Sequence, residues 1–96
     1  MTIYVIAQLR LTDEDRYRRY QKAFPAVWKK FRGSLLAADE AAVVAEGKWD
    51  GDKVVLLSFP DITAYREWAE SDEYQAISRD RTAGADTISL IVKGTS

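Results

Sequence analysis

The sequence predicts an α+β domain: one antiparallel four-stranded sheet, ordered β-α-β-β-α-β along the chain, with helices on one face. Three observations predict it. Ile3 to Leu11, Lys53 to Phe59 and Thr87 to Val92 are rich in β-formers and carry apolar residues at the two-residue spacing of a strand. Aromatic and apolar residues between Tyr17 and Phe31 recur at steps of three and four, the period of a helix packed on one side. Capping and turn residues fall at the junctions between these stretches.

In the first stretch Ile3, Val5, Ala7, Leu9 and Leu11 share one face, and Tyr4, Gln8 and Arg10 fall on the other. Thr12 is the expected cap of the helix that follows, because Asp15 stands three residues on in capping-box spacing. Asp13, Glu14 and Asp15 suit the positive end of the helix dipole. Tyr17, Tyr20, Phe24, Val27, Trp28 and Phe31 form the apolar stripe, and arginines and lysines cover much of the remaining surface as a solvated face. Pro25 lacks a backbone donor and collides with the Gln21 carbonyl, a cost of about 3 kcal/mol in a straight helix. A kink or short break is therefore expected near Phe24, and Gly33 is the expected C-cap.

Ser34 to Trp49 is apolar and rich in small residues, which predicts an extended second strand with a bend or hairpin at Asp39-Glu40. Asp50-Gly51 is a hairpin-turn signal before the third strand, Lys53 to Phe59, which Pro60 stops. Asp61 can cap a second helix with Ile62, Tyr65 and Ala69 on its apolar face and Trp68 beside them. Ser71-Asp72-Glu73 starts another helical piece, with Tyr74, Ile77 and Arg81 on one side, that Gly84 breaks before the last strand. Right-handed crossovers favour the ferredoxin-like arrangement for this order.

Composition excludes more chemistry than it suggests. At 96 residues the chain is one domain, residues 1–96, with a thin core. A net charge of −1 gives no global pull towards nucleic acid or acidic membranes. No apolar run reaches the ~18 residues of a membrane span. Met1-Thr2-Ile3-Tyr4 has no basic stretch of the signal-peptide kind, so a cytoplasmic location is expected. There is no cysteine, hence no disulfide, thiolate or zinc–cysteine site, and no histidine, hence no imidazole base or triad. Catalysis would rest on Asp, Glu, Arg, Lys, Tyr or Ser, or on the substrate itself. Asp13-Glu14-Asp15 reads as a cap and Asp50-Gly51-Asp52 as a turn, so no metal and no cofactor are expected.

Each of the three cleanest strands offers a purely apolar face to the helices: Ile3/Val5/Ala7/Leu9, Val55/Leu57/Phe59 and Ile88/Leu90/Val92. The opposite faces, Tyr4/Ile6/Gln8/Arg10, Val54/Leu56/Ser58 and Thr87/Ser89/Ile91, are about half apolar. Four strands about 17–20 Å long and ~4.8 Å apart give that open face roughly 400 Å². An exposed half-apolar surface of this size predicts a two-fold, sheet-on-sheet homodimer; a polar-enough face on a monomer is the competing expectation.

Tyr17-x-x-Tyr20, Glu46-Gly47-x-Trp49-Asp50, Phe59-Pro60, Trp68, Ser71-x-Glu73-Tyr74-Gln75 and Arg81 resemble, in order and spacing, the domain of unknown function 1330 family of bacteria. That family lies within the dimeric α/β-barrel superfamily, and the resemblance spans nearly the whole chain. It implies a ferredoxin-like protomer and a dimer whose two sheets form a barrel, but no reaction. The superfamily includes cofactor-independent antibiotic-biosynthesis monooxygenases, muconolactone isomerases and haem-dependent members, which need an axial histidine absent here. Ser58 stands where the family often carries a glutamate, and Ala38-Asp39-Glu40 where it often carries an Arg-Gly-Gly turn.

The candidate ligand-binding residues are Arg81, Tyr74, Trp68, Trp49, Glu46 and Tyr17. Arg81 shares a helical side with Tyr74 and Ile77, and an inward arginine can grip a carboxylate or enolate with two prongs; a structural salt bridge to Glu46 or Glu73 competes. Trp49, Trp68, Tyr74 and their neighbours could line a flat aromatic pocket, or simply fill the core. Glu46, a carboxylate in an apolar strand, could act as a base if buried; pairing or exposure competes. Three functions follow. The first is a dimer binding a small aromatic or carboxylate ligand between helices and sheet. The second is a cofactor-independent, monooxygenase- or isomerase-like enzyme on an aromatic or enolisable substrate. The third is an interaction module without a ligand.

Overall fold

Two interleaved β-α-β crossovers build the molecule. The computed structural model describes residues 1–96. Along the chain run β1 (Ile3–Leu11), α1 (Glu14–Trp28), β2 (Ser34–Asp39), β3 (Lys53–Phe59), α2 (Ile62–Ala69), α3 (Asp72–Gly84) and β4 (Ala85–Lys93). The sheet order is β2-β3-β1-β4, with every neighbouring pair antiparallel. This is the predicted ferredoxin-like topology. No helix is long and apolar enough to cross a membrane.

The alternation of β1 works as expected. Ile3, Val5 and Leu9 are buried at 5%, 3% and 2% exposure, under the helices. On β3, Leu57 and Phe59 are buried on the same face. The cap of α1, however, is Asp13, whose Oδ1 accepts from the Arg16 amide at 3.2 Å, and not Thr12. The amides of Thr12 and Asp13 both donate to the Gly84 carbonyl, at 2.9 and 3.1 Å. Thr12 is thus tied to the end of α3, and the chain enters the helix one residue later. The helix runs through Pro25 without a break at Phe24. The proline lies in the last turn, so little helix follows to be disrupted. Lys29, not Gly33, is the C-cap. Gly33 instead makes room: a Cβ there would overlap the Trp28 ring and lie 2.7 Å from Phe59 Cε1.

The expected long second strand is shorter. It ends at Asp39, and residues 40–52 form an irregular connection. Both carboxylate oxygens of Glu40 accept from Arg18 of α1 at 2.7 Å, which draws the chain off the sheet. Asp50-Gly51 therefore closes a long connection and is not a tight hairpin. Asp61 and Ser71 cap α2 and α3 as expected, accepting from the Ala64 and Tyr74 amides at 2.8 and 3.1 Å. Ala64 and Trp68, four residues apart, are the buried positions of α2, whereas Ile62 is 39% exposed and not on the packed face.

The largest correction concerns β4. Leu11, Leu9, Ala7 and Val5 pair with Ala85, Thr87, Ser89 and Ile91, which puts those four on the helix side of the sheet; Ala85 is buried and Thr87 half-buried, while Ser89 and the 48% exposed Ile91 lie at the uncovered end of this edge strand. Ile88, Leu90 and Val92 point to the open face, opposite to expectation, and are 62%, 49% and 42% exposed. The cause is the junction with α3. Gly84 is the last helical residue and Ala85 the first of the strand, so no loop can adjust the register. The bonds from Thr12 and Asp13 to Gly84 then fix which side each later residue takes.

Candidate functional site

Between sheet and helices lies a cavity of about 230 Å³. Val5, Ala7 and Leu9 of β1 with Val55 and Leu57 of β3 form its floor. Tyr17, Tyr20 and Phe24 of α1 and Tyr65, Trp68 and Ala69 of α2 form its walls. From α3 come Tyr74, Gln75 and Arg81, and from β4 Thr87 and Ser89. Tyr74 and Arg81 reach it together because seven residues are two helical turns. Four of the six sequence candidates, Arg81, Tyr74, Trp68 and Tyr17, thus meet at one site.

One end of this layer is densely packed. Trp68 lies 4.1 Å from Tyr74, 5.2 Å from Trp28 and 5.6 Å from Phe59 between ring centroids. These contacts follow from the α1 stripe meeting Phe59 at the end of β3. Polar groups border the same layer. The guanidinium of the half-buried Arg81 makes no hydrogen bond or salt bridge within the chain. Of the two partners the competing salt-bridge reading offers, Glu46 and Glu73, Glu73 is paired with Lys30 at 2.8 Å. Trp68 Nε1 and Thr87 Oγ1 are buried without a partner. The Tyr20 and Tyr74 hydroxyls share one hydrogen bond of 2.8 Å. Burial, then the neighbouring Tyr74, push the Tyr20 phenol well above its ordinary range, against the opposing charge of Arg81. It therefore stays protonated at neutral pH. No carboxylate lines the cavity, so no acidic side chain there is placed for proton transfer.

Beyond Tyr17, Tyr20, Phe24 and Val55 a second space of about 180 Å³ holds Lys53. Lys53 is only 4% exposed, with its Nζ 3.7 Å from Glu40 Oε2 and 5.0 Å from the centroid of the Tyr17 ring. Hydrogen bonds from Arg18, aided by Lys53, hold the Glu40 carboxyl below its usual range.

Trp49 and Glu46 are not part of this site. Both belong to the connection after β2 and border a shallow depression with Gln8 and Val54. Gln8 and Val54 are register partners on the open side of the sheet. Glu46 is exposed and not in a strand, which fits the competing expectation of exposure. Sequence reasoning missed three residues near the cavities. Tyr20 stands in the α1 stripe and the Tyr17-x-x-Tyr20 motif, with nothing in the sequence to set it apart as a site residue. Thr87 was assigned to the wrong face. Lys53 marked only the start of a strand, and its burial has no sequence signal.

No curated protein matches the chain. Among solved structures, the RPA0582 protein of unknown function from Rhodopseudomonas palustris is similar at a TM-score of 0.83 and 17% identity, over 99% of this chain and 83% of that one. A dimeric ferredoxin-like protein of unknown function from Jannaschia is similar at a TM-score of 0.77 and 12% identity, over 98% and 100% of the two chains. SnoaB, a cofactor-independent oxygenase from Streptomyces nogalater, is similar at a TM-score of 0.70 and 11% identity, over 99% and 94%. At these identities the likeness is one of fold. A family model, the domain of unknown function DUF1330, matches residues 2–95, and the chain belongs to that family.

Proposed function

We propose that this protein is a homodimer, joined through the open sheet face, that binds a small molecule in the cavity between helices and sheet. The carrying observation is Arg81, a half-buried cation without a protein partner, lining an otherwise largely apolar cavity. An interior built only for packing would fill this space or pair that charge. The dimer rests on Ile88, Leu90 and Val92, exposed on the open face beside Ile6 and Leu56. Roughly 400 Å² of sheet is about half of one partner's share in a standard interface of ~800 Å² per side. Val43 and Val44, exposed in the connection after β2, add apolar surface. The Jannaschia protein of the same fold is dimeric, which supports a dimer here.

An oxygenase-like activity is the second reading, favoured by the fold shared with SnoaB. Binding stands ahead of it because no carboxylate lines the cavity and burial keeps the Tyr20 phenol protonated. Native mass spectrometry of gently purified protein tests the proposal. Twice the 10.9 kDa protomer mass, with a small molecule retained, is expected. A lone protomer at micromolar concentration would remove the dimer. A cavity that retains nothing and accepts nothing from a broad panel of small molecules would remove the binding role.

A further inference from the structure

The polar groups around the cavity are in imbalance: they include a cation and no anionic acceptor. Arg81 has five N–H donors, none engaged within the chain, and it cannot accept. Trp68 Nε1 is a donor only, and it is buried without a partner in a residue 5% exposed. Tyr20 and Tyr74 bring two hydroxyl protons to a pair that consumes one, so one proton remains to be donated. Thr87 adds an unengaged hydroxyl. Gln75 donates its amide to the Ala69 carbonyl at 2.6 Å, and its Oε1, like the hydroxyls, is a neutral acceptor that cannot balance the Arg81 charge. Buried polar groups are rarely left unpaired in native proteins, so this surplus requires acceptors from outside the chain.

Three properties of that guest follow. It carries negative charge, because the lining has a cation and no carboxylate. It carries one charge and not two, because Arg81 is the only cationic residue among the lining side chains. It is flat and small, because Tyr17, Tyr20, Phe24, Tyr65 and Trp68 wall a space of about 230 Å³. An apolar cavity of about 150 Å³ accepts benzene, so this one has room for a ring and a short substituent. Resting on the binding role proposed above, we infer that the ligand is a single-ring aromatic monocarboxylate, its carboxylate on Arg81 and a further acceptor atom on Trp68 Nε1.

Calorimetric titration of the intact protein with benzoate, 4-hydroxybenzoate, benzamide and benzylamine tests this, together with the indole N–H resonance of Trp68. The carboxylates should bind at least about tenfold tighter than the neutral amide, as charge-assisted bonds to Arg81 require. Benzylamine should not bind, and the Trp68 N–H signal should move on saturation with 4-hydroxybenzoate. In Arg81→Gln the preference for acid over amide should vanish while benzamide affinity holds. If that variant does not fold, Arg81→Lys should retain the preference in weakened form, the charge surviving and the fork being lost. Equal affinity for acid and amide, or a Trp68 signal indifferent to every carboxylate, overturns the ligand class and leaves the binding role standing. Silence from all four compounds overturns the ligand class. If unrelated neutral rings such as indole also fail to bind, the binding role falls with it.

Discussion

The two faces of the sheet are incomplete in opposite ways. Under the helices the strands are covered, yet polar atoms at Trp68 and Thr87 lie buried without partners. On the open side Ile88, Leu90 and Val92 lie in water. One face lacks polar partners, the other apolar ones. The difference separates the two proposed roles of this thin sheet: a site for a guest on one side and a contact for a second copy on the other.

The sharpest way to break this contrast is at the packed end of the covered face. Phe59, 1% exposed against Trp28, Tyr65 and Trp68, should cost about 3–5 kcal/mol on truncation in Phe59→Ala. Urea denaturation at fixed protein concentration measures it. A loss below about 1 kcal/mol would mean that the covered face is not held by its aromatic end. On the open face, Leu90→Asp should weaken self-association about 100-fold. It removes a leucine contact of roughly 1.5 kcal/mol from each copy, about 3 kcal/mol per dimer. Sedimentation across a dilution series reads the change, while the fold, followed by circular dichroism, should persist. An unchanged association constant would place the contact elsewhere.

The smallest effect probes the polar part of the covered face. Tyr20→Phe should cost about 1–2 kcal/mol near pH 7, the worth of a buried hydrogen bond whose partner is left behind. Its signature is in alkali. The folded Tyr20 resists ionisation, so its protonated form stabilises the fold fully below the ordinary tyrosine pKa of about 10. Above that pH the unfolded chain releases a proton that the folded chain retains, and stability falls. Tyr20→Phe should flatten this decline between about pH 10 and 11.5, relative to its own neutral value. Identical slopes in both proteins would show that Tyr20 ionises freely.

Much of the contrast was legible in the residues, and its gaps have local causes. The β1 alternation, the Asp61 and Ser71 caps and the α1 stripe are short-range patterns, and they emerged as read. So did the convergence of Tyr74 and Arg81, set by helical spacing alone. The faces of β4 were not legible, because both are part apolar and the decision rests on bonds between Gly84 and residues over seventy positions earlier. Thr87 was lost with that decision. Glu46 and Trp49 were misplaced because β2 stops at Asp39, through the grip of Arg18 on Glu40, and no local pattern signals that pairing. The burial of Lys53 likewise depends on a distant tyrosine and glutamate.

The direct passage from α3 into β4 makes the chain intolerant of length change at one point. A single residue inserted between Gly84 and Ala85 would turn every later side chain over, sending Ile88, Leu90 and Val92 inward and Thr87 and Ser89 out. Deletion of one residue would do the same. A Cβ on Gly84 itself would come within 2.5 Å of the Tyr17 amide nitrogen, so substitution offers no alternative route there. Natural variation in chain length should therefore collect in the irregular residues 40–52, where an added residue alters no strand's orientation.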